Sequence, residues 1–135
     1  MSRRTAREHI FKIIFQTEFY KEEEIDDAIE IYKENIENSN ESDMKFIKDE
    51  IKGIMENKGV IDDTINRYAQ GWEVGRLAKV DLAILRLAVY EILYVDDIPN
   101  RVTVNEAVEL TKTFSSDKSP AFVNGVLGRV ITNVL

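Results

Sequence analysis

Four cations open the chain. Arg3, Arg4 and Arg7 stand in the run Arg3-Arg4-Thr5-Ala6-Arg7, Lys12 follows, and Glu8 is the one carboxylate among the first 17 residues. A helix N-terminus favours negative groups, so arginines gathered there work against the helix dipole, and folding alone does not ask for them. Their chemistry suits an anion. Free backbone N–H groups, the dipole and forked guanidinium donors would together hold a phosphate, the other reading being a solvated basic tail. Lys12, about one and a half turns beyond Arg7, extends the basic edge. Phe11 and Phe15 beside it read either as core side chains or as rings for an unstacked base.

A second group lies near the C-terminus, where Lys118 precedes Ser119-Pro120 and the pair Asn124-Gly125 falls inside a helical pattern. Glycine costs about 1 kcal/mol there relative to alanine, which suggests a close approach by a neighbouring helix or by a ligand backbone near Asn124. Other chemistries are poorly served. His9 is the single histidine and there is no cysteine, so neither a metal site nor a nucleophile–base pair can be assembled around it. The six glycines form no phosphate-binding loop. Asp26-Asp27, Asp62-Asp63 and Asp96-Asp97 are sequence neighbours, which diverge on a helix rather than converging on one reacting atom. No catalytic residue, metal or cofactor is expected.

The net charge of −7 over 135 residues argues at first against a nucleic-acid partner. It is unevenly spread. Residues 1–17 carry +3, residues 18–63 carry −10, and residues 64–135 balance. Arg4 and Glu23 are separated by about 28 Å along an unbroken helix, several Debye lengths at physiological salt, so along the helix they are screened from each other and packing decides whether they meet. Four cations alone would give a log–log salt slope of only about −3 on a single strand, weak binding that a partner would strengthen. The missing cysteines, the lack of an apolar leader and the lack of an 18-residue apolar run predict a cytoplasmic protein that does not cross a membrane.

Two prolines, six glycines and apolar residues at three- and four-residue spacing predict an all-α chain. A first helix is expected over about Ala6–Tyr20, opened by a Thr5/Glu8 capping box. A second is expected over Glu24–Ile36, and a third from Asp43 with Ser42 as cap and Gly59 at its C-cap. A fourth covers Ile61–Gln70. Val80–Tyr94 is apolar almost all round and marks a helix enclosed by others. Thr103 and Glu106 have capping-box spacing for a sixth helix ending near Phe114. Ser119 caps a seventh that turns Phe122, Val123, Val126 and Leu127 inward. The result is a compact bundle of about seven helices in two packed helical subdomains, roughly 1–72 and 73–135.

Several of these segments resemble the NusB family of bacterial transcription antitermination factors. They are Arg3-Arg4-x-Ala6-Arg7-Glu8, Ala83-Ile84-Leu85-Arg86-Leu87-Ala88-Val89-Tyr90-Glu91, Ile98-Pro99, Asn105-Glu106-Ala107-Val108-Glu109-Leu110-x-Lys112-x-Phe114 and Phe122-Val123-Asn124-Gly125-Val126-Leu127, in the family's order over nearly the whole chain. The resemblance implies binding of boxA-type single-stranded RNA of ribosomal RNA leaders together with the ribosomal protein NusE, and entry into the RNA polymerase antitermination complex. It implies RNA contacts at Arg3, Arg4 and Arg7, to which Lys12 and Lys118 add charge, and at Phe122 and Asn124. It implies partner contacts at Phe15 and Asp81. Phe15 stands where the family often has tyrosine, and Ala121 where it often has lysine. A monomer and a homodimer both remain open, as does a purely protein–protein adaptor working through the acidic block. A helical domain of an RNA cytosine methyltransferase would need a cysteine nucleophile and a further domain.

Overall fold

In the computed structural model, which describes residues 1–134, helix α1 (Arg3–Thr17) begins earlier than its apolar stripe suggests. Ser2, not Thr5, is the cap: its side chain accepts the Thr5 N–H at 3.0 Å. Arg3 and Arg4 therefore lie in the first turn rather than ahead of it. Helix α2 (Glu22–Glu34) follows, with Glu22, Glu23 and Glu24 in its first turn, where the dipole favours them. It buries no side chain completely. Ile29, Tyr32 and Ile36 rest on the core from outside.

Helix α3 (Glu41–Glu56) is capped by Asn40 in a reciprocal pair with Asp43, which displaces the cap expected at Ser42. The N-terminal ammonium of Met1 completes this corner, 3.1 Å from Asp43. Helix α4 (Lys58–Tyr68) starts so soon afterwards that Gly59 belongs to its first turn and ends nothing. Asn57 closes α3 instead, its amide donating to the Gly53 carbonyl at 2.8 Å.

Helix α5 (Lys79–Tyr94) is the enclosed element, packed against α1, α3, α4, α6 and α7. Leu82, Ala83, Ile84, Leu85, Leu87, Ala88 and Val89 are all buried along it. Tyr90 is received by Gly53 of α3, where any Cβ would overlap the tyrosine ring. Helix α6 (Asn100–Phe114) begins immediately after Pro99, so the Thr103/Glu106 pair is not a cap; both side chains are used in tertiary contacts. Helix α7 (Ser119–Val134) contributes Val123, Val126, Leu127 and Val130 to the same core. No helix of the described residues is long and apolar enough to cross a membrane.

Arg86 of α5 is buried and ties three helices together. It donates twice to Asp62 of α4, at 2.8 and 2.9 Å, and pairs with Glu18 at the end of α1. Removing it would take the guanidinium from Asp62, which water reaches only in part, and leave Glu18 with Lys79 alone. Arg86→Ala is expected to cost about 2–3 kcal/mol in urea unfolding. An unchanged midpoint would show that the triad contributes nothing net.

Candidate nucleic-acid interface

The first turn of α1 presents Arg3 and Arg4 to solvent. The Arg3 guanidinium lies 4.3 Å over the Phe46 ring of α3, a cation–π contact that offsets its unfavourable place at a helix start. Arg4 Nε donates to Glu106 of α6 at 2.8 Å, yet 65% of its side chain stays exposed, leaving most of its donors free. Glu106 holds the Arg4 guanidinium charged more firmly than usual, its pKa raised first by the hydrogen bond and then by the charge.

Arg7 sits elsewhere. It is 4% exposed, and its Nε and an Nη donate to the two oxygens of Glu91 at 3.0 and 3.1 Å. Glu91 also accepts the Thr103 hydroxyl at 2.7 Å. The buried Glu50 carboxyl lies beside this pair, with no hydrogen-bond donor on either oxygen among the described residues. Desolvation, then the neighbouring Glu91, pushes the Glu50 pKa up to about 10, so it is held protonated at neutral pH. The guanidinium of Arg7 thus points into the protein, one turn behind the exposed pair.

Lys12, half-exposed, continues the basic edge, its ammonium 5.5 Å over the Phe114 ring and 4.0 Å from Glu8. Phe11 is a core side chain, packed 5.1 Å from Phe114. Phe15 is half-buried and meets the exposed Phe19 edge-on at 5.1 Å. Glu106 beside Arg4 and Phe114 beside Lys12 are eight positions apart on α6, about 12 Å. Arg4, Glu8, Glu106, Glu109 and Phe114 line a shallow cavity of 220 Å³ along that stretch.

Past Phe114 the chain turns into α7 and forms the second patch. Asp81 is buried at the head of α5, accepting hydroxyl hydrogen bonds from Ser115 at 2.6 Å and Ser119 at 3.0 Å. Ser119 is therefore spent on Asp81 rather than on capping its own helix. Above it, Lys118 and Phe122 line a cleft of 330 Å³ with Trp72, Arg76 and Asp81. Asn124 is exposed on the next turn of α7. The close neighbour expected at Gly125 is not a helix: an added Cβ would meet only the Arg129 guanidinium, at 3.4 Å.

A larger cavity of 620 Å³ separates α1 from α2, lined by Tyr20, Glu23, Glu24, Asp27, Ile31 and Tyr32 among others. Its carboxylates repel phosphate, so size does not make it the RNA site. His9 faces this side and shares a 2.9 Å hydrogen bond with the Tyr32 hydroxyl; burial first, and then Lys12, lowers its pKa. Among the described residues no group of His, Cys, Asp and Glu is placed to hold a metal ion. Glu50, Glu91, Trp72 and Arg76 were not predicted from sequence. Trp72, the only tryptophan, four residues before an arginine in a glycine-bearing loop, was a legible signal.

The family model for NusB matches residues 4–132. The chain belongs to the NusB family. It is 46% identical to the transcription antitermination protein NusB of Acetivibrio thermocellus over 134 residues, covering 97% of this chain and 89% of that one. The NusB of Clostridium novyi is also 46% identical, over 132 residues, covering 97% and 98%. Among solved structures, T. maritima NusB superposes with a TM-score of 0.90 at 38% identity, covering 98% of this chain and 92% of that one. A NusB crystallised with NusE and dsRNA shares the fold, with a TM-score of 0.81 at 24% identity over 96% of both chains. NusB proteins are transcription antitermination factors and not enzymes.

Proposed function

We propose that this NusB-family chain is a cytoplasmic transcription antitermination factor. In this reading it binds boxA-type single-stranded RNA of ribosomal RNA leaders together with NusE and joins the RNA polymerase antitermination complex, promoting full-length rRNA transcription. The observation that carries the proposal is the pair of cationic patches, Arg3–Arg4 at the head of α1 and Lys118 with Phe122 at the head of α7, with Lys12 of α1 lying over Phe114 of α6 between them. Phosphates meet the arginines and lysines, and bases meet the rings. Asn124 supplies an amide on the exposed side of α7. The crystallised relative with NusE and dsRNA supports both partners.

In this reading NusE docks along the Phe15–Phe19 edge and on the side of the corner that Asp81 braces through Ser115, leaving the cleft at Lys118 and Phe122 to RNA. Asp81 acts there by fixing Ser115 and Ser119, since its buried carboxylate accepts both hydroxyls. Arg7 supports the first patch from inside rather than touching RNA.

Labelled boxA RNA titrated with and without NusE tests the reading. Arg3→Ala/Arg4→Ala is expected to weaken binding about tenfold at 0.1 M salt and to flatten the log–log salt slope by about 1.4, two phosphate contacts on a single strand. NusE should tighten binding to the unmodified protein. Equal affinity in the double variant, or no gain from NusE, would overturn the proposal.

A further inference from the structure

Trp72 is 53% exposed in a segment whose backbone is firmly held. Gln70 and Gly71 both take left-handed φ values, 47° and 91°, which fold the chain back at the end of α4. That conformation is costly for a glutamine and persists only where the surroundings enforce it. The Val74 N–H donates to the Asn66 side chain at 2.7 Å, and a short 3-10 turn, Val74–Arg76, locks the remainder. A large indole is thus held outward although burying it would favour folding. Phe122 reaches the same cleft from α7, and the exposed side chains of Arg76 and Lys118 line it. The Asp81 carboxylate at its floor is buried and accepts one hydroxyl on each oxygen.

We infer that the cleft between Trp72 and Phe122 is a stacking site for one nucleobase of the bound single strand, with Arg76 and Lys118 on the flanking phosphates. The inference rests on the RNA reading above and names a subsite within it. Rings at the mouth of a cleft accept any base by its face, and cations beside them track the backbone. A volume of 330 Å³ is at the small end of ligand pockets and suits a single planar group. Lys118 is four residues past Phe114, over whose ring Lys12 lies at 5.5 Å, so a strand crossing α6 from the Arg3–Arg4 patch is led toward the cleft. A wholly apolar protein contact would not need two cations at the same opening.

Because Trp72 is the only tryptophan, its emission reports on this cleft alone. Titration of the full chain with labelled boxA RNA should quench that emission in parallel with the rise in anisotropy. Trp72→Ala should weaken RNA binding about 5- to 30-fold without changing the salt slope, and Trp72→Phe should restore part of the loss. Lys118→Ala should instead lower the slope by about 0.7. An abasic residue walked along the RNA should abolish the quench at one position. RNA binding with unchanged emission and an indifferent Trp72→Ala variant would overturn this inference and leave the RNA reading standing. Absence of RNA binding altogether would remove both. Emission that responds to NusE alone and not to RNA would assign the cleft to the protein partner and overturn the inference as well.

Discussion

Arg7→Ala is expected to lower the unfolding free energy by about 3–5 kcal/mol in a urea titration, more than loss of either exposed arginine. The reason is what remains. Glu91 would stay buried with the Thr103 hydroxyl as its donor, beside a second carboxyl at Glu50, and neither can be rehydrated without opening the α1–α5 contact. Arg7→Lys should recover only part of the loss, because an ammonium cannot reproduce the two parallel bonds that fix the guanidinium to both oxygens. The same contact positions the RNA patch. Arg3 lies one turn before Arg7, and the two guanidinium groups sit 4.3 and 5.5 Å from the same Phe46 ring. Rotating α1 would carry Arg3 off that ring. Measured on the fraction that stays folded, Arg7→Ala should therefore weaken RNA binding while the salt slope is unchanged, whereas Arg3→Ala should flatten it by about 0.7. A slope that falls equally in both variants would show that Arg7 reaches phosphate.

How far such a role was legible in the chain depends on how local its causes are. Helical periodicity identified all seven helices and the enclosed character of Val80–Tyr94, because burial repeats every three to four residues whatever the partners. Boundaries shifted where two capping residues competed. Ser2 took α1 from Thr5, lengthening it by nearly a turn, and Asn40 took α3 from Ser42, lengthening it by about half a turn. The expected capping box at Thr103 and Glu106 shows the opposite failure. The spacing was genuine, but the partners that claimed these side chains are Glu91 and Arg4, the latter 102 residues away. Charge patterning likewise singled out Arg3, Arg4 and Arg7 together, since one turn of helix separates neighbours without saying which faces water. Only the packing of α1 on α5, which brings Glu91 across 84 residues, divides them. Gly53 is a parallel case: an unremarkable glycine in an amphipathic stripe that receives Tyr90 of a distant helix.

Stability is expected to fall as pH rises from 7 to 9, by up to about 1.4 kcal/mol per unit, the slope for one proton. The source is Glu50. Its pKa is about 10 in the folded protein against an ordinary 4.5, so across this range the folded chain holds a proton that the unfolded chain has released. A group raised in this way contributes fully below its unfolded pKa and loses its contribution as pH climbs to the folded value. Other titrations act mainly outside the window. Glu18 and Asp43 have lowered pKa values, which add stability above the carboxylate range and lose it only in acid. His9, also lowered, makes stability rise with pH mainly up to its ordinary 6.5, with a small tail just above 7 that opposes the fall. Tyr32 and Tyr90 are raised from 10.0 and act above 9. Glu50→Gln carries the test, because the amide is neutral at every pH and matches the protonated carboxyl in size and in its capacity to donate. Its stability should be nearly flat from pH 7 to 9 and should exceed that of the unmodified protein at pH 9. Parallel slopes in the two proteins would mean that Glu50 is already ionised beside Glu91 at neutral pH, with Arg7 shared between two carboxylates.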